Sequence, residues 1–568
     1  MERDWTLVSL GALHLLAYCS FFVVMHLKSR AWAPGQVLDP LDLYWRWFYQ
    51  LLISEEQVLA SRRSAAAAGH PFLMLASVAS ISGIYLLLLY WFRRASQPPR
   101  LRVLMSLAVL ASVPLLLLPN LLTGDVYSYI AYGRIAAVHG GNPFIDPPST
   151  FAVDPLYRWV YWKHEPSVYG PGWIYLSIIL TIVVNSINQH VITYVLAYKL
   201  LTFGLHLLNG RLIWAVLGRW KPEQQVWGTA FYLLSPLALI EFAGNGHNDV
   251  LMITFILLGI WFHLHQHWYW TIAAFTLGVL TKWIALPLLP LYGLALLWES
   301  QTWRDRAWKT AGSLIIFASL CVSLYRPYWE GTDTLKILFT AVPQQRLINS
   351  LGDVVATDIQ YGMWRFSNWP HPALVDMPLV FSGSGSRVTS GNKYSEEVQT
   401  DVWARQMDQF TRDRTFFRQQ QSIARSNRDW VNGQLRTSAM VLFALGCLIA
   451  AASTRTFRGA LTAGAWIFFM YCSIAAVWFW PWYVTWFVAL AALLDWRVTG
   501  RTALLLSLLV PLIYIFYPTL PDPVWWQRYR AVMIFVPPLL FAGWHGMRIV
   551  GALWRDRRRT RVPALAEA

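Results

Sequence analysis

The chain has 568 residues, 56% hydrophobic and 13% charged, with 33 tryptophans, whereas a soluble protein is about one-quarter charged. Apolar runs of about 20 residues, each able to cross ~30 Å of hydrocarbon as a helix, recur from end to end and exclude both a soluble domain and a β-barrel. The excess of 46 Lys and Arg over 30 Asp and Glu gives +16. It concentrates in short loops and the tail, as membrane orientation requires, so no nucleic-acid partner is expected.

In chain order, helices are predicted near 5–26, 71–93, 101–120, 190–217, 225–243, 250–265, 268–281, 283–298, 309–326, 436–453, 458–477, 482–495, 502–518 and 531–550. The first begins "MERDW" and reaches "LLAYC" at Cys19, a faint echo of a lipoprotein signal. It lacks a basic leader, and Tyr18 stands where a small residue belongs, so a retained helix is expected. Cys19, Cys321, Cys447 and Cys472 all fall in apolar runs, too dispersed for a metal site or structural disulfides.

With a cytoplasmic N-terminus, alternation places Arg93 to Arg102, Arg219 and Lys221, Arg304 to Lys309, Arg455 and Arg458, Arg497 and Arg501, and the tail Arg555, Arg557, Arg558, Arg559 and Arg561 inside. This holds only if 172–187 lies in or dips into the outer interface instead of crossing. Four features then share the outer face: the 121–171 loop, "EFAGNGHNDV" at 241–250, the turn at Lys282, and "WFWPWY" at 478–483. The organisation expected is a hairpin (1–98), a core (99–326), a large outer loop (327–435), further membrane helices (436–551) and a basic tail (552–568). Within the outer loop, 382–393 reads as a flexible linker. From 396 to 430, Val398, Val402, Met407, Phe410 and Phe417 mark an amphipathic helix resting on the membrane or the bundle.

Asp125 in "LLTGDVYSYIAYGR" emerges about one turn beyond the hydrocarbon edge, within reach of both water and headgroups. It reads either as the cap of a helix closed by Gly140-Gly141 or as a reactive carboxylate. Tyr129 and Tyr132, four and seven residues on, share its helical face, and a tyrosine wall beside a carboxylate suits a sugar or an interfacial belt. In "GNGHND", turn and cap duties could account for Asn245, Asn248 and Asp249 but not for His247. Lys282, without an acidic neighbour in sequence, either meets an anion such as phosphate or snorkels to headgroups. No "GxxxxGK[ST]", dinucleotide glycine fingerprint, "HExxH" or "GxSxG" occurs, so nucleotide hydrolysis and common hydrolase chemistries lack sequence support.

"GDVYSYIAYGR…GGNPF", "GNGHNDVLM", "LTKWIALPLLPL" and "WFWPWYVTW", in that order, resemble the family C (GT-C) membrane glycosyltransferases, in particular bacterial α-mannosyltransferases that use polyprenyl-phosphate mannose. The resemblance covers roughly 100–520 and leaves out the hairpin 5–93 and the 327–435 insertion. It implies an all-α polytopic membrane protein: a GT-C-like bundle of about fourteen transmembrane helices, with a catalytic first long outer loop beneath a lateral opening for the lipid donor. Asp125 would be the general base of a single inverting displacement. Lys282 and His247, with Arg134 behind them, would meet the departing phosphate, and Arg326, Arg528 and Arg530 are further cations. Tyr129, Tyr132, Asn142, Asp249, Trp482 and Tyr483 would contact sugar or acceptor, although the "WPWY" turn also reads as an aromatic belt. No metal ligands are assigned, and a divalent cation stays open. The partners implied are membrane lipid, a polyprenyl-phosphate sugar and a glycan or glycolipid acceptor. The setting implied is a bacterial plasma membrane, with an extracytoplasmic site and cytoplasmic termini. A lipid-linked-sugar flippase and an O-antigen-type polymerase or ligase are the rival readings.

Overall fold

The computed structural model describes residues 2–31, 70–94, 99–117, 122–340, 347–374 except 368 and 373, 414–516 and 524–559. Among them the chain is helical, and the one bridge of β type joins Ile348 to Trp478. Helices α1 (Glu2–Ala31) and α2 (His70–Arg94) pack as a hairpin, and α1 leans on α3 (Leu101–Leu116). Then come α4 (Asp125–Ala137), α5 (Pro171–Ile187), α6 (Val191–Trp220), α7 (Gln225–Leu233) and α8 (Pro236–Leu239). The hairpin α9 (Asp249–Leu264) and α10 (Trp268–Thr281) forms the most extensive helix pair, with α6 against α9. Next are α11 (Leu288–Glu299), α12 (Trp303–Tyr325), α13 (Asp333–Thr340) and α14 (Leu351–Phe366). The chain finishes with α15 (Arg414–Ser453), α16 (Phe457–Met470), α17 (Val484–Ala491), α18 (Arg501–Leu509), α19 (Leu512–Phe516) and α20 (Val524–Arg559).

All fourteen predicted apolar segments contain helix, though not all of these helices are of membrane-crossing length. Among the described residues, seven helices are long and apolar enough to cross a membrane, or eight if one bent pair counts as a span. The bent pair lies where a single helix over 225–243 was expected. It breaks by 47° between Pro222–Leu233 and Pro236–Gly244, because Pro236 has no N–H to continue the ladder and disfavours helical geometry at Ser235. The shorter apolar helices include α3, α5, α9 and α10, of 16, 17, 16 and 14 residues, below the ~20 residues a perpendicular crossing needs.

The segment predicted to lie in the outer interface forms α5, which packs on α4, α6 and α10. Of the predicted amphipathic helix, residues 414–430 are described, and they are no separate element: α15 runs unbroken for 40 residues into the apolar stretch ending at Ser453. The linker at 382–393 and the first part of that helix lie outside the described residues. The basic tail continues α20 as far as Arg559.

Candidate active site

Three packing arrangements fix the floor of the site. The Lys199 side chain, fully buried in α6, donates to the Leu115 and Leu116 carbonyls at 2.7 and 3.0 Å. It thereby satisfies C-terminal carbonyls of α3 that have no helical partner. Asn245 Oδ1 accepts from the Leu122 amide at 2.9 Å, so the "GNGHND" turn is tied to the strand of chain leading into Asp125. Gly170 at the start of α5 lies so close to α10 that a Cβ there would sit 2.1 Å from the Leu280 carbonyl oxygen. The Gly170 amide also donates to the Thr281 carbonyl at 3.2 Å, immediately before Lys282.

Asp125 is the first residue of α4 and does not cap it; the cap position is Gly124, and no side-chain capping bond forms. Its carboxylate points instead into a polar cluster. Asp125 Oδ2 lies 3.9 Å from His247 Nδ1, and 19% of the Asp125 side chain is accessible. Trp162 and Tyr169 stand close enough to pull its pKa down. Although that edge is open, the surrounding mass is enough that burial pushes its pKa up from 3.8 to about 6, with the Lys282 ammonium pulling down and Asp249 pushing up. His247 is fully buried, and burial, reinforced by Lys282, holds it far below its ordinary value, so the ring is neutral. Its Nε2 lies 3.2 Å from Thr123 Oγ1 and 3.4 Å from Glu241 Oε2, and its face stacks on Trp482 at 4.0 Å.

Asp249 likewise begins a helix without capping it. Its Oδ1 receives the Lys282 ammonium at 2.7 Å and the Trp486 indole N–H, while Oδ2 has no hydrogen-bond partner. The absence of an acidic neighbour near Lys282 in sequence is thus resolved in space, because Asp249 and Lys282 occupy the same end of the α9–α10 hairpin. The ammonium also lies 5.0 and 5.1 Å from the ring centres of Tyr483 and Trp486, with 19% of its side chain exposed. The backbone at Lys282 is extended, with φ −152° and ψ 120°, and this break from α10 turns the side chain toward the cluster.

Other predicted residues take different places. Tyr129 is buried edge-on to Tyr169 and Trp173, at 4.9 and 5.1 Å, and its hydroxyl donates to Asn248 Oδ1 at 3.3 Å. The Tyr132 hydroxyl donates to the Glu165 carbonyl at 2.9 Å. Both tyrosines therefore support the loop bearing Tyr169. Asn142 holds a turn, donating to the Tyr328 carbonyl and to Glu330 Oε1 at 2.9 and 2.8 Å. Arg134 points away from Asp125, into an ion pair with Asp154 at 2.8 Å and a bond to the Tyr194 hydroxyl at 3.0 Å. Arg326 ends its helix on the surface, and the Arg528 side chain lies outside the described residues. Arg530 braces the outer cover: it donates to Asn349 Oδ1 at 2.7 Å and pairs with Asp353 at 3.6 Å. Asn349, at φ 57°, in turn donates to the Phe479 carbonyl at 3.2 Å. Trp480 and Trp482 stack nearly parallel, at 5.4 Å and 5°.

Glu241 was not singled out from the sequence. Fully buried, it accepts from the Tyr514 hydroxyl at 3.0 Å and the Asn245 amide at 2.8 Å, so it anchors both that asparagine and His247 from below. The signal was available: a carboxylate within "LALIEFAG" at membrane depth is itself a functional candidate. Trp162, Tyr169 and Trp486 were also missed, because tryptophans and tyrosines are too common here to stand out. Among the described residues no three His, Cys, Asp or Glu side chains converge as metal ligands.

The site thus gathers a carboxylate with an open edge and a raised pKa, a buried imidazole and a carboxylate-paired ammonium among aromatic rings. Residues 47–298 match the alpha-(1->6)-mannopyranosyltransferase N-terminal domain. That mannosyltransferase-like segment includes Asp125, Glu241, His247, Asp249 and Lys282. Similar proteins include alpha-(1->6)-mannopyranosyltransferase B of Corynebacterium glutamicum, 29% identical over 26% of this chain and 24% of the relative. Another is alpha-(1->6)-mannopyranosyltransferase A of Mycobacterium tuberculosis, 28% identical over 49% of this chain and 55% of the relative. A probable alpha-(1->6)-mannopyranosyltransferase of Mycolicibacterium smegmatis is 26% identical over 38% of this chain and 36% of the relative. The chain spans between about a quarter and about half the length of these relatives. No solved structure matches. The match takes in the second hairpin helix, which the expected resemblance left out, and three of the four motifs; it ends before "WFWPWYVTW".

Proposed function

We propose that the protein is a membrane mannosyltransferase that moves a mannosyl group from a polyprenyl-phosphate donor to a hydroxyl of a glycan or glycolipid acceptor. Asp125 accepts the acceptor's O–H proton as that oxygen forms a bond to the anomeric carbon. The bond from that carbon to the phosphate oxygen breaks, and polyprenyl phosphate departs with the electron pair. Configuration inverts, because the two events occur in one displacement on opposite faces of the sugar. Lys282 faces the charge that develops on the phosphate. His247, neutral and stacked on Trp482, offers Nδ1, which has no hydrogen-bond partner among the described residues, toward the reacting groups. Tyr483, Trp482 and Trp162 form the apolar walls against which a sugar face packs. The reaction is assigned to the outer face of a bacterial plasma membrane, where the donor is drawn from the bilayer.

The observation that carries this reading is Asp125 itself: part-exposed, raised to about 6 and so largely ionised at neutral pH, and coupled to the Lys282–Asp249 pair. The test is to supply purified protein with polyprenyl-phosphate mannose and a mannosyl acceptor. Product from wild type and none from Asp125→Asn supports the assignment. Undiminished transfer by the variant rejects Asp125 as base, and lipid translocation without glycosidic bond formation replaces transfer with flipping.

A further inference from the structure

A second charged cavity lies at the other end of the bundle. In α9, Asp249 begins the helix at the candidate active site and Leu264 ends it, about 24 Å away at 1.5 Å per residue. There the Leu264 carbonyl accepts from Arg219, two residues before Lys221. Lys221 lines an open cavity of about 430 Å³ together with Arg93, Arg458, Arg497 and Arg501, which reach it from the ends of four different segments. Arg93 comes from the second helix of the N-terminal hairpin, inside the 47–298 match.

Two carboxylates also line the cavity, yet among the described residues none of the five cations has a carboxylate within 4.0 Å. Asp495 is already committed: its two oxygens accept from the Val498 amide at 3.0 Å and the Thr499 hydroxyl at 2.9 Å, holding the turn that presents Arg497 and Arg501. Glu223 is exposed in the short 3₁₀ helix Pro222–Gln224. Lys221, only 8% exposed, donates to the Leu493 carbonyl at 3.0 Å. Orientation alone requires basic residues near a membrane face, not their convergence on one hollow. Cations gathered without ion pairs around a roomy cleft carry unbalanced positive potential, which an anion with several acceptor oxygens relieves. The indoles of Trp227 and Trp496, edge to face at 4.7 Å, give the hollow an apolar wall.

We propose that this cavity is a phosphate-binding site, independent of the transfer reaction, whose ligand is a phosphate monoester or diester such as the headgroup of an anionic lipid in the leaflet away from Asp125. The arginines offer planar donor forks to the phosphate oxygens, and the tryptophan wall accepts the adjoining glycerol or hydrocarbon.

The test uses the full chain in detergent. Native mass spectrometry measures retention of phosphatidylglycerol against phosphatidylcholine, and thermal shift measures binding of inorganic phosphate. Both are applied to wild type and to a variant carrying Arg458→Gln, Arg497→Gln and Arg501→Gln, whose side chains are exposed in the protein. Preferential retention of phosphatidylglycerol by wild type, weakened about fivefold for each arginine removed, is the expected result. Stabilisation by inorganic phosphate without lipid preference, lost in the variant, supports the same site with a soluble ligand. Equal retention of both lipids and no response to phosphate overturns the proposal. So does an equal loss of binding on removing Arg304 and Arg425, which lie elsewhere, since diffuse surface charge would then explain the effect. Should the triple variant fail to fold, Arg497→Gln alone decides in the same way.

Discussion

The Lys282 ammonium and the Asp249 carboxylate meet at 2.7 Å across the mouth of the α9–α10 hairpin, and the Trp486 indole donates to the same carboxylate oxygen. The pair makes the ammonium a fixed charge rather than a mobile one, held where a phosphate oxygen can share it. Lys282→Ala leaves Asp249 buried without its cation, at a cost of about 3 kcal/mol or more in stability, and lowers donor use further. Lys282→Arg keeps the charge and is expected to retain fold but not full rate, since a planar fork does not fit an ammonium's seat. A melting curve beside donor titration separates the two effects. A Lys282→Ala protein with normal stability and normal donor use would reject both roles.

Asp125→Asn is expected to reduce transfer by about 10² to 10⁴-fold, the range for loss of a positioned base. It should at the same time stabilise the fold. Burial raises this carboxyl from 3.8 to about 6, so the unfolded chain holds its charge more comfortably. The resulting penalty on folding, on the order of 3 kcal/mol, is fully present above pH 6 and is relieved as pH falls toward 4. A variant that is slow yet melts higher than wild type at pH 7.5 is the expected outcome, read by thermal denaturation; a lower melting temperature would contradict the burial argument.

The same value sets a pH profile. With Asp125 as the proposed base, transfer would require its ionised form, and kcat/KM is expected to rise with pH through about 6 and level above it. His247 stays neutral across that range and adds no inflection. Replacing His247 with Gln should therefore lower the rate without moving the inflection, while a shift of more than about one unit would place the titration on the histidine.

Gly170→Ala tests the packing that seats Lys282. The added methyl would collide with the Leu280 carbonyl at 2.1 Å, and backbone cannot swing aside as a side chain can, so a loss of about 1–3 kcal/mol is expected together with activity. Gly140→Ala, at φ 66° with open space around it, should cost less, about 1 kcal/mol of backbone strain. Equal melting temperatures for the two variants would remove the α5–α10 contact from the account.

Arg530→Met removes the brace on Asn349 and Asp353 that steadies the tryptophan turn. A loss of about 1.5–3 kcal/mol is expected for a charged hydrogen bond, with KM for the donor rising more than kcat falls. A change confined to kcat would assign Arg530 to the chemistry instead.

Much of the helical plan was legible in the sequence, because apolar runs of membrane length leave few alternatives. The positions of "GDVYSY", "GNGHND", "LTKW" and "WPWY" on one face of the bundle followed from parity alone, and the cluster of Asp125, His247, Asp249, Lys282 and Trp482 shows them meeting. What periodicity could not show was which groups on that face spend their polar atoms on the protein. Arg134 looks like a phosphate ligand until Asp154 and Tyr194 claim it. Asp125 looks like a helix cap until Gly124 is found in that place. Glu241 went unnoticed because its partners, Asn245 and Tyr514, are four and 273 residues away, and only the fold makes a buried carboxylate of that kind intelligible.

Helices α9 and α10, with 16 and 14 residues, rise only about 24 and 21 Å, well under the thickness of an ordinary hydrocarbon slab. Arg219 ties the end of the 30-residue α6 to the last residue of α9, so at the other end α6 extends well past their polar rim. For the lipid donor proposed above, an isoprenoid tail beside that rim would keep its full length among lipid chains with its headgroup level with Lys282. Loading would then require sideways diffusion in the bilayer and no climb toward the aqueous phase.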